Sequence, residues 1–180
     1  NGTDGGEYGI HASYDNTIIN NTIHDSKITE SAIYVTVNCT AYGNIIQNIS
    51  GVNAFEFSIS ASNTFVHDNF INMTSGNGMY IRGNMTNVTV SNNAIHSPEG
   101  TAILIKMLSR TKIPDYIYLM NNQIFDFKNA AINFAEIQSK ANVTAFNNSV
   151  IINNNTFFNA FDNQGVLKNL KGIDYILFKG

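Results

Sequence analysis

The sequence predicts an all-β fold, a right-handed, single-stranded parallel β-helix of about seven coils that spans residues 1–180 as one domain. Short runs of alternating apolar and polar residues are separated by Gly, Asn and Ser turns, as in successive short strands. Two independent ladders of residues repeat with a period that begins near 23 residues and lengthens along the chain. A coil of that length has room for three short strands.

The first ladder consists of asparagines. Its members are Asn21, Asn44, Asn69, Asn93, Asn122 and Asn155. A large apolar residue follows each of them by two positions, at Ile23, Ile46, Ile71, Ile95, Ile124 and Phe157. Stacked asparagines can pass side-chain amide hydrogen bonds from one coil to the next. This explains how a chain with 29 asparagines can be ordered.

The second ladder is apolar and predicts the inward side of another strand. Its members are Ile10, Ile33, Phe55, Met79, Ile103, Ile132 and Val166, and a small residue precedes each one. Lys168 falls where the last coil needs an inward apolar residue, which predicts a register shift near Val166. Cys39 aligns with Val88 and with other apolar residues, so we expect it to be a buried core residue.

Composition excludes several classes of function. The formal net charge is −3 and only 13% of the residues are charged, so no basic patch indicates nucleic-acid binding. No apolar stretch is long enough for a transmembrane helix. Ten N-x-[ST] sequons predict a glycosylated protein that is extracellular or at the cell surface. The start at Asn1 suggests a fragment of a longer extracellular protein, whose flanking domains would cover the open solenoid ends.

The repeated segments NNTI, GNII, DNFI, NNAI, NNQI and NNTF resemble the parallel β-helix repeat of the pectate-lyase-like superfamily. The composition, rich in Asn and Ile from the segment NGTDGGEYGIHASYDNTIINNTIHDS onward, is similar to that of the disaggregatase-related domain of methanogenic archaea. This resemblance implies an extracellular archaeal protein that acts on methanochondroitin, a cell matrix that contains uronate and amino sugars.

The strand that carries the second ladder also predicts one outward-facing sheet surface. Its first outward row is His11, Tyr34, Glu56, Tyr80, Leu104 and Asn133, and its second is Ser13, Thr36, Ser58, Arg82, Lys106 and Ala135. Aromatic rings with polar groups around them suit sugar binding, so His11, Tyr34, Tyr80 and Asn133 are candidate substrate-binding residues. The neighbouring cations Arg82 and Lys106 should be offset by an anion, and a uronate carboxylate is one candidate.

Two catalytic mechanisms remain open for this surface. In a uronate lyase, Lys106 would be the base and Arg82 would neutralise the substrate carboxylate. This arrangement resembles that of some β-helix lyases, which have a Lys base with an Arg close by. A glycoside hydrolase needs two carboxyl groups. Glu56 is the clear candidate for the first, but Asp15 and Glu30 are poorly placed to be the second. The aspartate cluster of the β-helix polygalacturonases is missing.

We expect no cofactor. His24 and His96 follow ladder asparagines three coils apart, which is too far for a shared metal ion. A Ca²⁺ site formed by Asp4, Glu7 and Asp25 is a weaker alternative. The longer coils at residues 107–116 and 136–149 are expected to contribute loops beside a binding groove.

The resulting expectation is an extracellular domain that acts on or binds an acidic polysaccharide as part of a polysaccharide-degrading protein. Whether the chain itself is an enzyme stays open. The alternatives are a non-catalytic carbohydrate-binding module and a structural spacer in a surface layer.

Overall fold

The computed structural model describes residues 7–83, 85–97, 99–106, 115–135, 150–158, 167–168 and 177–179. These residues form a parallel β-solenoid, and no helix occurs among them. Each strand pairs in parallel with its equivalent in the next coil. The all-β solenoid expected from the repeat is therefore confirmed.

The coils have three faces, which we call A, B and C. Face A is formed by β1 (Tyr8–Ala12), β4 (Ser31–Val35), the second halves of β6 (Ile45–Phe57) and β8 (Phe70–Arg82), β11 (Thr101–Lys106), β14 (Ala130–Ala135) and β17 (Leu167–Lys168). Face B is formed by β2 (Thr17–Ile19), β5 (Thr40–Tyr42), β7 (Ser62–His67), β9 (Thr86–Ser91), β12 (Asp115–Met120), β15 (Val150–Asn153) and β18 (Leu177–Lys179). Face C is formed by β3 (Thr22–His24), the first halves of β6 and β8, β10 (Ala94–His96), β13 (Gln123–Phe125) and β16 (Thr156–Phe158).

Among the described residues, the number of complete coils is smaller than the sequence predicts. About four coils, between residues 8 and 96, are described almost without a gap, rather than the seven expected. Later strands extend the same faces between gaps in the described chain. The expected number, seven, is the number of residues in the second ladder, and a single ladder residue does not make a complete coil.

The apolar ladders form the core as predicted. On face A, Ile10, Ile33, Phe55, Met79, Ile103 and Ile132 are successive Cα partners. Phe55 and Met79 are fully buried there, and burial of such a side chain contributes about 1.5–3 kcal/mol. The last rung confirms the shift near Val166, because Ile132 pairs with Leu167 and Lys168 pairs with Asn133.

The asparagine ladder is continuous from Asn21 to Asn155. Each side-chain amide donates to the Oδ1 atom of the next ladder member, at 2.9–3.1 Å. The backbone N–H of each donor residue binds the same oxygen, so the next coil satisfies two donors of the coil before it. Asn44, Asn69, Asn93 and Asn122 are buried. Buried polar groups need such partners, which explains why these positions are asparagine.

The corners between faces use residues in the left-handed backbone region. The residue before each ladder asparagine has a positive φ: Asn20, Gly43, Asp68, Asn92, Asn121 and Asn154. Asn, Asp and Gly adopt this conformation more readily than other residues. The high asparagine content therefore has two causes, the buried ladder and the exposed corners.

The small residue that precedes each core residue of face A permits close packing. At Gly78, an added Cβ would lie 2.5 Å from Cγ2 of Ile95 on face C and 2.6 Å from the carbonyl oxygen of Ala102 in the next coil. Ala32, Ala54 and Ala102 occupy equivalent positions and are fully buried. The chain turns here from face C to face A, and a larger side chain has no space.

Candidate functional site

The residues of the predicted outward row of face A are aligned across successive strands. His11, Tyr34, Glu56, Tyr80, Leu104 and Asn133 are successive Cα partners. Arg82 and Lys106 are likewise paired across adjacent strands, in the second predicted row. The solenoid thus brings all seven predicted site residues onto one face.

Glu56 lies in this row but is buried, with a relative exposure of only 1%. Its Oε1 atom forms an ion pair with Nη2 of Arg82 at 2.6 Å. The Ser31 hydroxyl donates to Oε2 at 2.6 Å, and the Asn53 amide donates to the same atom at 3.4 Å. These contacts hold the carboxyl group of Glu56 in one orientation.

The anion that offsets Arg82 is therefore supplied by the chain itself. The sequence alone makes a substrate uronate a candidate for that role, because Arg82 and Lys106 are stacked like charges, whereas the structure places Glu56 there. The Arg82 side chain remains 32% exposed, and its guanidinium carbon lies 5.5 Å from the ring centroid of Tyr80. Lys106 is the Cα partner of Arg82 in the next coil.

An aromatic cluster occupies the first two coils of face A. The ring centroids of Tyr8, His11 and Tyr34 are 4.9–5.3 Å apart. The His11 and Tyr34 rings are nearly perpendicular, at 89°, and both other pairs are tilted. His11 is exposed and the two tyrosines are half-buried. Tilted and edge-to-face arrangements of this kind are favourable geometries for aromatic pairs.

The pKa of Tyr8 is raised by burial and by the acidic groups around it. Burial raises the pKa of its phenol, and the negative charges of Glu56 and Glu30 raise the pKa further. Tyr8 therefore stays neutral over the ordinary pH range and keeps a hydroxyl proton to donate.

Three further residues of the site, Tyr8, Ser31 and Asn53, were not predicted from the sequence. They occupy equivalent positions in consecutive coils, two residues before the inward members of the second ladder. The alternation rule alone assigns these positions to the inside. Because the chain bends at the corner between faces C and A, their side chains instead contact outward-row residues.

Neither proposed second carboxyl group of a hydrolase joins Glu56 in the described contacts. Asp15 lies at the corner between faces A and B, where Oδ1 accepts a hydrogen bond from Asn38. Glu30 is exposed and lies in the turn before β4. The loops at residues 107–114 and 136–149 lie outside the described residues, as does the groove expected beside them.

The histidines are distributed as expected. His24 and His96 belong to one row of face C and are three coils apart. His67 forms a contact of 2.6 Å with Asp68 at a corner, and His96 lies between Asn72 and Asp126. Within the described part of the chain, no group of three or more His, Cys, Asp or Glu residues could hold a metal ion. Asp4, part of the suggested Ca²⁺ site, lies outside that part.

Cys39 is fully buried, as predicted, and its thiol donates to the carbonyl oxygen of Ser13 at 2.8 Å. The strand register aligns it with Val88, Ile117 and Val150. It is a core residue rather than a part of the site.

Comparison with known proteins yields no match to a protein-family model, to a curated protein or to a solved structure. In the described ranges, there is no helix with the length and apolar character needed to cross a membrane.

Proposed function

We propose that this chain is a glycan-binding domain of an extracellular polysaccharide-degrading protein, and that face A binds an acidic polysaccharide. The observation that carries the proposal is the aromatic cluster of Tyr8, His11 and Tyr34 on the same face as Arg82 and Lys106. Aromatic rings pack against the apolar faces of sugars, while polar groups nearby determine orientation. Tyr80 and Asn133 extend the same surface along the solenoid axis.

The preference for an acidic chain follows from charge. Arg82 and Lys106 place cationic groups on adjacent strands of face A, and the Arg82 side chain is 32% exposed. A uronate carboxylate is a suitable partner for such a cation. The resemblance to the disaggregatase-related domain of methanogenic archaea favours a matrix of the methanochondroitin type, and the sequons favour an exported protein.

Cleavage by β-elimination is the second candidate, and one observation favours it. Lys106 and Arg82 are Cα partners on adjacent strands. Lys106 would accept the proton from C5 of a uronate, while Arg82 would stabilise the carboxylate of the same sugar. Hydrolysis is less well supported, because Glu56 is buried and engaged by Arg82, Ser31 and Asn53.

Binding can be measured with a uronate-containing polysaccharide, such as chondroitin or polygalacturonate, and with a neutral glucan for comparison. We expect Tyr34→Ala to weaken binding of the acidic polysaccharide by about tenfold, or about 1.4 kcal/mol. Tyr14→Ala is the matched control, because Tyr14 is 67% exposed in the turn after β1. Equal binding by both variants would exclude face A as the binding surface, and no binding by the wild-type chain would favour a structural spacer.

The same incubation separates binding from cleavage. An increase in the ultraviolet absorbance of unsaturated uronate ends that is lost in Lys106→Ala would indicate β-elimination. Release of reducing ends without that absorbance would indicate hydrolysis. Bound, intact polysaccharide would identify a non-catalytic carbohydrate-binding module.

A further inference from the structure

The sequons are unevenly distributed between the two structural classes of asparagine. Among the described residues, eight asparagines have a positive φ, and five of them, Asn20, Asn38, Asn48, Asn87 and Asn154, begin an N-x-[ST] sequon. None of the six ladder asparagines begins one. The residue two positions after a ladder asparagine is an inward apolar residue, which excludes a hydroxyl group there.

At the corners, by contrast, the core does not dictate the residue two positions later. Phe65, Ala94 and Gln123 follow the corner residues Asn63, Asn92 and Asn121, which shows that residues without a hydroxyl are accepted. Packing therefore does not require the hydroxyl groups that follow the five sequon asparagines. Acceptance of a glycan is the explanation that the sequon itself suggests.

Hydrogen bonding separates the two classes in the same way. The side-chain nitrogen of Asn44 in the ladder donates to the carbonyl oxygen of Ile18 and to Oδ1 of Asn69, both at 2.9 Å. Both amide protons are used, and replacement of either by a sugar would leave a buried acceptor without its donor.

The corner amides have a proton to spare within the described hydrogen bonds. Asn38 donates to Oδ1 of Asp15 at 2.8 Å, and Asn48 donates to Oδ1 of Asp25 at 3.1 Å. Asn87 donates to Oδ1 of Asn63 at 3.0 Å. A glycosylated amide nitrogen keeps one hydrogen, so each of these bonds to the preceding coil can persist. Asn38 and Asn48 are exposed and Asn87 is half-buried.

We propose that Asn38, Asn48 and Asn87 are N-glycosylation sites. This inference rests on the export that the proposed function requires. The sugar donor is a lipid-linked oligosaccharide pyrophosphate, and a membrane oligosaccharyltransferase carries out the transfer. The asparagine nitrogen bonds to the anomeric carbon, the bond from that carbon to the pyrophosphate oxygen breaks with its electron pair, and the amide gives one proton to a base of the transferase.

The placement has a consequence for face A. Asn38 and Asn87 share the corner between faces A and B and are two coils apart, about 10 Å along the axis. These glycans would be attached at corners of the solenoid rather than on a sheet surface. No described asparagine in the two outward rows of face A begins a sequon. The glycans would therefore cover edges of the solenoid and leave the ligand-binding face open.

The test is secretion of the chain from a eukaryotic host whose secretory pathway modifies N-x-[ST] sequons. Glycans are removed enzymatically in heavy-oxygen water, and the labelled positions are mapped by mass spectrometry. We expect labels at Asn38, Asn48 and Asn87. Secreted protein without a label at Asn38 and Asn87 would overturn the proposal.

Three variants make the test specific. Thr40→Ala should remove the Asn38 glycan, while Thr40→Ser should keep it, because only the second variant retains the hydroxyl group. Phe65→Thr creates a sequon at Asn63, which lies at the same corner in the coil after Asn38. Phe65 itself is exposed, so the change leaves the core intact and should add a glycan at Asn63. Failure of Phe65→Thr to gain a glycan would show that these corners are poor acceptors. Polysaccharide binding is measured on unglycosylated protein, so the two proposals can fail separately.

Discussion

Corner residues combine a left-handed backbone conformation with side-chain hydrogen bonds. Asp25 has a φ of 50°, and its carboxylate contacts Nδ1 of His24 at 2.9 Å and accepts a hydrogen bond from Asn48 of the next coil. The hydrogen bonds from His24 and Asn48 lower the pKa of Asp25. A single exposed side chain thus links two coils at a point where the backbone conformation restricts the choice of residue.

This lowered pKa gives a pH dependence with a definite sign. The pKa of Asp25 in the folded state lies below its ordinary value of 3.8, so its contribution to stability is present above that value. It is lost as the pH falls through the folded-state pKa. We expect Asp25→Asn to lose less thermal stability than the wild type between about pH 5 and pH 2. Melting curves across this range test it, and equal slopes would contradict it.

Strands β6 and β8 connect the core to the candidate site. Each is long enough to turn the corner from face C to face A, and register shifts in their pairing occur between Gln47 and Asn53. After this bend, Glu56 on β6 and Arg82 on β8 form their ion pair across neighbouring coils. The bend also turns Asn53 toward the carboxylate of Glu56.

A double-mutant cycle on this pair tests its contribution. Glu56→Gln should lower the free energy of unfolding by about 2 kcal/mol, because it leaves the Arg82 charge without its counterion. The coupling with Arg82→Met should be about 1 kcal/mol. Glu99→Gln is the control, since the pair of Glu99 with Lys128 is about half exposed and should matter by less than about 0.5 kcal/mol. Equal effects at both pairs in chemical denaturation would contradict this expectation.

On the scale of the whole molecule, the asparagine ladder joins successive coils into one cooperative unit. Each coil supplies the acceptor that the previous coil needs, so a break at one rung leaves a donor unsatisfied on one side and removes a donor from an acceptor on the other. In a solenoid, coils contact only their neighbours, and stability depends on the interfaces between them.

Asn69→Ala should therefore destabilise the entire solenoid. The change removes the acceptor of Asn44 and the donor to Asn93 in a buried environment, at a cost of at least about 3 kcal/mol. Asn129→Ala is the control, because Asn129 is exposed and should matter by less than about 0.5 kcal/mol. Chemical denaturation monitored by circular dichroism measures both. A loss below about 1 kcal/mol for Asn69→Ala would contradict a structural role for the ladder.

The sequence by itself determined the solenoid, the inward ladders, the buried asparagines and the outward row of face A. These features follow from periodicity, since equivalent positions of successive coils must stack. Even the shift to Leu167 in the last described rung of face A was predictable, because a lysine interrupted the apolar pattern.

Only the tertiary structure decided what the site residues contact. Periodicity specifies which side of a strand a residue faces, but not how the chain bends at a corner or which rotamer a long side chain adopts. The burial of Glu56, its pairing with Arg82 and the approach of Tyr8 to Tyr34 depend on that bend. The sequence therefore predicted which residues share face A, while the ion pair and the aromatic cluster emerged from three-dimensional packing.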